Sequence, residues 1–276
     1  MDESRELSSS TLDVVVAMRN GRRHLPGLIK SIKAQVQAPS KVVVVDDGSS
    51  DGSVDYLRQQ VPSWVIRSTD SVGPAGARNT GARAGTSDWL LFVDVDDLPR
   101  PDWCSSFLQA ASGQALLLRR GVVMVTPTSR REAHPEPGLG GCFLVGSWAV
   151  TRTLWEEVQG YDSRYRYSEN TDLALRLRRV LGAELGVPSD RELILDGRGV
   201  DIMQAESARA RNTRHAEVRR AAVLRLLQDH MESLTYREQR DLCRVAFSTD
   251  LRSGRYDRLP ADAWRMLRHR VISKQR

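Results

Sequence analysis

Two groups of carboxylates stand where chemistry could be done. Asp94, Asp96 and Asp97 fall within four positions directly after the apolar run 89–93, and Asp46 and Asp47 directly follow the apolar run 41–45. Three carboxylates leaving an apolar strand repel one another, so a positive group should compensate them. A hard divalent cation, Mn²⁺ or Mg²⁺, does this with oxygen ligands and bridges to phosphate; a solvated acidic turn ahead of Pro99 is the plainer alternative. Asp46-Asp47-Gly48 taken alone is also a good turn sequence. Between the two groups lies Gly73-Pro74-Ala75-Gly76-Ala77-Arg78-Asn79-Thr80-Gly81, in which Arg78 and Asn79 offer donors to a base or a phosphate. Its glycines do not give the dinucleotide pattern G-x-G-x-x-G, and no G-K-[ST] phosphate loop occurs. Arg78 could equally be spent on an ion pair with a neighbouring aspartate. A third group, Glu169-Asn170 with Asp172, opens an amphipathic segment. Carboxylates there can serve as general bases or simply complement a helix dipole.

The elements that must position these residues follow from the hydrophobic periodicity. Residues 12–18, 41–45, 64–67 and 89–93 read as strands, the second apolar on both sides as in a buried parallel sheet. Residues 25–37, 54–60 and 73–85 read as the helices between them. This alternation predicts a mostly parallel α/β sheet with both acidic groups at the C-terminal strand ends, the place where open α/β sheets bind ligands. Further on, 115–126 is strand-like, 127–141 is a Pro/Gly/charged loop, 142–150 is a strand or hairpin leading into a helix at 153–158, and 169–181 is a helix. Beyond residue 201 the chain turns helical at 215–234, 236–251 and 260–272.

The chain has 276 residues, 40% hydrophobic and 28% charged, which excludes disorder throughout. No apolar run approaches the ~20 residues that span a bilayer. Residues 1–10 are polar with no apolar signal core, so the expected location is the cytoplasm. Cys104, Cys142 and Cys243 are scattered and odd in number, against both a disulfide framework and a zinc site. The net charge of +6 is unevenly spread: residues 1–197 hold 23 Lys+Arg against 25 Asp+Glu, and residues 198–276 hold 18 against 10. The basic excess therefore belongs to a C-terminal appendage, and nucleic acid is not an expected partner. The expected organisation is a flexible N-terminus at 1–11, a catalytic domain at 12–200 and a basic, mainly helical extension at 201–276. That extension is expected to pack on the catalytic domain, with homodimerisation or peripheral contact with an anionic inner membrane face as the alternatives.

Taken in order, "VVVVDDGSSDGS" (42–53), "GPAGARNTGARAGTSDWLLFVDVDDLPRPDW" (73–103) and "GYDSRYRYSENTDLALRL" (160–177) resemble glycosyltransferase family 2 over residues 12–180. The resemblance implies an inverting transferase of the GT-A nucleotide-diphosphosugar fold, with a C-terminal helical extension added. It implies a nucleotide-sugar donor, most naturally a UDP-sugar, and an acceptor that is a glycan, a lipid-linked glycan, a natural product or a peptide. By the same resemblance Asn20, Asp46 and Asp47 would hold the nucleoside, and Arg78, Asn79 and Asp94 would complete the donor site. Asp94, Asp96 and Asp97 would form the metal-binding D-x-D, and Ser147 and Trp148 an acceptor platform. The chain departs from the family in two places. The first strand ends in Ala17-Met18-Arg19-Asn20 instead of Pro-x-Tyr-Asn. The family's Glu-Asp pair is here Glu169-Asn170, and because an amide cannot take a proton from a hydroxyl, the base falls to Glu169, with Asp172 second. His134 is a weaker base candidate, and His215 a remote metal ligand. A sugar nucleotidyltransferase, a phosphoacceptor receiver and a degenerate sugar-nucleotide binder are the competing readings.

Overall fold

The computed structural model describes residues 10–70, 73–126, 129–133, 145–182, 192–203 and 216–252. The N-terminal residues 1–9, His134, Cys142, His215 and the predicted helix 260–272 lie outside them.

Four parallel strands build the N-terminal half: β1 (Leu12–Met18), β2 (Lys41–Asp46), β3 (Val65–Ser68) and β4 (Trp89–Asp94). Their crossovers carry α1 (Leu25–Lys33), α2 (Ser53–Gln60) and α3 (Gly73–Ala84). Two short elements not anticipated from periodicity follow, β5 (Leu98–Pro99) and α4 (Trp103–Gln109). Next come β6 (Leu116–Thr126), β7 (Ser129–Ala133), β8 (Trp148–Thr151), α5 (Arg152–Glu157), α6 (Glu169–Leu181) and β9 (Glu192–Met203). The sheet runs β3-β2-β1-β4-β8-β6-β9-β5, with β7 paired to β6. β8 joins β4 antiparallel, β6 joins β8 antiparallel, and β9 returns parallel to β6.

Strand alternation sorts the core into two layers. Val14, Val16, Val42, Val44, Leu91 and Val93 face one side, with Leu25, Leu28 and Ile32 of α1 and Trp103 and Phe107 of α4. Val15, Leu90 and Phe92 face the other, with Ala75 and Ala82 of α3, Leu154 of α5 and Leu173 and Leu177 of α6. The Gly/Ala composition of α3 has a steric cause: a Cβ at Gly81 would fall 2.3 Å from Val15 Cγ1, so only glycine lets this helix lie so close to β1.

The chain forms two compact units, one of Met1–Arg164 with Glu169–Gln204, the other of Tyr165–Ser168 with Ala205–Arg276. In the second, α7 (Ala216–His230) and α8 (Tyr236–Arg252) pair. Thr235 and Glu238 close a capping box at the start of α8: Glu238 N–H donates to Thr235 Oγ1, and Thr235 N–H donates to the Glu238 carboxylate at 2.8 Å. Gln239 Nε2 donates to the carbonyls of Met231 and Leu234, satisfying chain ends between the helices. Among the described residues no helix is long and apolar enough to cross a membrane.

Candidate active site

The strand order reverses direction at β1, with β2 and β3 on one side and β4 on the other, so the crevice for a ligand lies beyond the C-terminal end of β1. Register puts carboxylates on both flanks of that end. Met18 is opposite Asp46 and Ala17 is opposite Asp94. Beyond β1 the chain turns through Asn20, whose φ of 52° is a left-handed conformation that asparagine tolerates better than most residues. Asn20 N–H donates to Ser49 Oγ at 2.8 Å, and its Oδ1 accepts from Ser50 N–H at 2.9 Å. Gly21 N–H donates to Ser53 Oγ, and Arg22 N–H donates to the Asp51 carboxylate. The β1–α1 and β2–α2 loops are thereby knitted into one wall.

Asp46 and Asp47 are both buried. The Asp46 carboxylate accepts from Ser49 N–H, while that of Asp47 accepts from Thr69 Oγ1 at 2.8 Å and Gly73 N–H at 2.9 Å. Asp47 therefore fastens β3 to the start of α3, shaping the wall as well as offering charge to it.

Arg78 is the centre of the arrangement. It rises from α3, is 3% exposed, and forks between two carboxylates: Nη2 donates to Asp94 Oδ1 at 2.8 Å and Nη1 to Glu169 Oε1 at 3.0 Å. The guanidinium lies 5.3 Å from the centroid of the Tyr161 ring. Burial opposes its charge, but Asp94, Tyr161 and Glu169 outweigh burial and hold it above the ordinary arginine range, so it stays cationic. With both ends committed, it cannot use either on a base or a phosphate without giving up an ion pair. Its buried Nε has no hydrogen-bond partner among the described residues, which leaves one donor uncommitted.

Asn79 does not face this centre as a free donor. Its Nδ2 donates to the Tyr161 carbonyl at 2.7 Å and its Oδ1 accepts from Tyr161 N–H at 2.9 Å, so it pins that residue's backbone on both sides. Tyr161, which sequence reasoning left without a role, is buried, and burial pushes its phenol well above the ordinary range. Its hydroxyl donates to Asn170 Oδ1 at 2.9 Å. The signal for it was present in the Gly-Tyr-Asp run at 160–162.

Of the two base candidates, Glu169 begins α6 with a side chain 12% exposed, and among the described residues only Oε1 carries a partner, Arg78. Asp172 is 2% exposed, and its Oδ2 accepts from both Nε and Nη2 of Arg176 at 2.9 and 2.6 Å. Arg176 Nη1 also donates to the carbonyls of Val158 and Gly160. That pair clamps α6 to the turn after α5, a structural use foreshadowed by its i,i+4 spacing.

The acceptor platform expected at Ser147 and Trp148 is corrected by burial. Both are 0% exposed, and the Trp148 ring packs 5.1 Å from Phe92 and 6.4 Å from Tyr161 within the core. Neither side chain presents a face to a sugar.

The D-x-D carboxylates differ in access. The Asp94 side chain is 40% exposed, Asp96 is half-buried, and Asp97 is buried with its N–H donated to the Asp94 carbonyl in a turn. Among the described residues no group of three or more His, Cys, Asp or Glu could cage a metal. Such a donor set fits a hard cation that takes one or two protein carboxylates and draws its remaining oxygens from a phosphate ligand.

Residues 13–141 match the family model described as glycosyl transferase family 2, so this part of the chain is related to that family. An uncharacterized glycosyltransferase of Haemophilus influenzae is 28% identical over 183 residues, 60% of this chain and 61% of the relative. The pre-mycofactocin glycosyltransferase of Mycobacterium tuberculosis is 32% identical over 190 residues, 62% of this chain and 39% of the relative. The chain thus spans less than two-thirds of the length of either relative. Among solved structures, S. aureus TarS 1-349 in complex with UDP-GlcNAc superposes with a TM-score of 0.58 at 17% identity, covering 89% of this chain and 73% of that one. The same protein in complex with UDP gives 0.56 at 16% identity, covering 87% and 70%. The fold is that of the GT-A transferases, a mostly parallel sheet flanked by helices, with additional C-terminal helices.

Proposed function

We propose that the chain is a glycosyltransferase that moves a sugar from a nucleotide-diphosphate sugar, most naturally a UDP-sugar, to a hydroxyl acceptor with inversion at the anomeric carbon. The observation that carries this reading is the fork of Arg78. It joins a carboxylate at the end of β4 to one at the start of α6, 91 residues further on in the chain from Arg78, beside the crevice where open sheets take ligands. The likeness of the fold to that of a UDP-GlcNAc complex supports the donor class.

In this reading Asp46, Asp47 and Asn20 shape the nucleoside wall. Asp94 and Asp96 would hold a divalent cation, Mn²⁺ or Mg²⁺, which when bound neutralises charge on the departing diphosphate. Glu169 Oε2 takes the proton of the acceptor hydroxyl while Arg78 fixes Oε1 and hence the orientation of the carboxylate. The acceptor oxygen forms its bond to the anomeric carbon as the bond from that carbon to the diphosphate oxygen breaks, and the electron pair leaves with the diphosphate. Asp172 serves structure, through Arg176. A sugar-nucleotide binder without turnover is the second reading, and Asn170, held by Tyr161 where the family resemblance implies an acid, favours it.

Calorimetric titration of UDP with and without Mn²⁺ tests the donor side. Tighter UDP binding with Mn²⁺, lost in Asp94→Asn and Asp96→Asn, is the expected result. Equal UDP affinity with and without Mn²⁺ in the unmodified protein would remove the cation from the account.

A further inference from the structure

The acidic turn after β4 and the segment that follows it are fitted against α1 and the loop that leads into it, all within the sheet unit. Gly21, buried in the β1–α1 loop, leaves no room for a side chain: a Cβ there would fall 2.7 Å from Val95 Cγ2, 3.2 Å from Val95 Cγ1 and 2.9 Å from Met18 Cγ. Val95 is the residue between Asp94 and Asp96. Gly27, in the first turn of α1, stands in a similar relation to Leu98, whose Cδ2 would lie 3.0 Å from an added Cβ. Neither glycine has a positive φ, so neither is needed for the backbone conformation. Glycine costs a helix up to about 1 kcal/mol against alanine, and at position 27 that cost is matched by clearance for Leu98.

Beyond the C-terminal end of α1 the same segment is held by hydrogen bonds. Gln35 Nε2 donates to the Arg100 carbonyl at 2.7 Å, and its Oε1 accepts from Cys104 N–H at 3.0 Å. Val36 N–H donates to the Pro101 carbonyl at 2.8 Å. The pairing of this segment with the sheet is confined to the two residues of β5 on β9, so α1 is its main support. The opposite side of the β1–α1 loop is the wall built with residues 49–53, where Gly21 N–H donates to Ser53 Oγ at 3.1 Å. Gly21 therefore touches both halves of the donor crevice, the wall through its N–H and the acidic turn through its bare Cα.

We infer that Gly21 and Val95 are positioning residues for the divalent cation: their close fit sets how far Asp94 and Asp96 stand from the nucleoside wall, and so whether a diphosphate bound at that wall can share a cation with them. This role rests on the glycosyltransferase reading above, and on its cation in particular. Neither side chain touches the cation or the nucleotide; both act through the two aspartates that flank Val95.

The test is calorimetric titration of UDP, with and without Mn²⁺, on the full-length protein, Gly21→Ala, Val95→Ala and the double variant. Groups that hold a metal's ligands in place typically carry about 10–100-fold of its affinity, so the gain in UDP affinity that Mn²⁺ brings should fall at least about tenfold in Gly21→Ala. Val95→Ala loosens the fit without a clash and should lower the gain at least about threefold. UDP affinity without Mn²⁺ should stay within about twofold, because the atoms nearest to the added methyl belong to Val95 and Met18 and not to the 49–53 loop. In the double variant the methyl gained at 21 takes space given up at 95, and at least about threefold of the gain should return relative to Gly21→Ala. An unchanged gain in either single variant, no recovery in the double variant, or equal losses with and without Mn²⁺ overturns the positioning role. If Gly21→Ala does not fold, Val95→Ala decides alone. If UDP binds the unmodified protein equally with and without Mn²⁺, the cation of the proposed function is what falls, and the positioning role falls with it.

Discussion

Arg78→Met separates an organising role for the guanidinium from an incidental one. Methionine fills a similar volume, so the change creates little cavity and reports mainly on charge. The Asp94 side chain is 40% exposed, and an ion pair that open to solvent is worth at most about 1 kcal/mol. Glu169 is different: at 12% exposure, losing its partner leaves a carboxylate mostly buried and uncompensated, which costs about 3–5 kcal/mol. The lost cation–π contact with Tyr161 and the removal of the orphaned Nε–H have opposite signs and comparable sizes of about 1–2 kcal/mol, so they roughly cancel. The net cost is therefore about 3–5 kcal/mol, or roughly 6–20 °C in Tm for a unit of this size. Adding Glu169→Gln should restore much of it, because a neutral amide needs no counter-charge. A urea-denaturation double-mutant cycle over Arg78 and Glu169 should give a coupling of about 2 kcal/mol or more. A loss below about 1 kcal/mol in Arg78→Met, or a cycle that closes to within about 0.5 kcal/mol, would refute the central place given to the fork.

Three further outcomes are expected. Trp148→Ala should cost about 3–5 kcal/mol by chemical denaturation and leave UDP affinity unchanged, because the ring is buried in the core. Asp172→Asn should destabilise by about 3 kcal/mol through loss of the clamp on Arg176, with the chemical step preserved in the folded fraction; a kinetic loss equal to that of Glu169→Gln would make Asp172 the base. Burial pushes the Cys104 thiol up to about 12, against an ordinary 9.0 in the unfolded chain. The native state thus binds more protons between these values, and stability should decline as pH rises through that window. Mass-spectrometric thiol labelling at pH 8 should spare Cys104 in the native protein and modify it once urea unfolds the chain.

Much of the fold is legible because its signals are local. Leu12–Met18 and Glu169–Leu181 have the bounds their periodicity predicts, since runs of buried valine and a leucine stripe repeat at strand and helix spacing. β9 was not anticipated, because Glu192–Met203 mixes Asp, Gly and Arg with its apolar residues and gains its place only by pairing with β6. β5 is two residues long and exists only through the same strand. Among site residues, the types and order of Asp46, Asp47, Arg78, Asp94 and Glu169 pointed to one site before any geometry was known. Their partners did not, because the fork of Arg78 joins positions on α3, β4 and α6 that only the folded chain brings together. The misreading of Trp148 has a similar origin: an indole next to a loop serves a sugar or a core equally well, and the neighbours that decide, Phe92 and Tyr161, come from β4 and the turn after α5.

The account stands most directly on whether Glu169 drives transfer from a nucleotide-sugar. Release of UDP from a panel of UDP-sugars, followed with Mn²⁺ and candidate hydroxyl acceptors for the unmodified protein, Glu169→Gln and Asp172→Asn, measures this. The predicted result is turnover that falls by at least about 100-fold in Glu169→Gln and persists in Asp172→Asn. Turnover that survives Glu169→Gln within about tenfold would contradict the assignment of the base and the role given to Arg78.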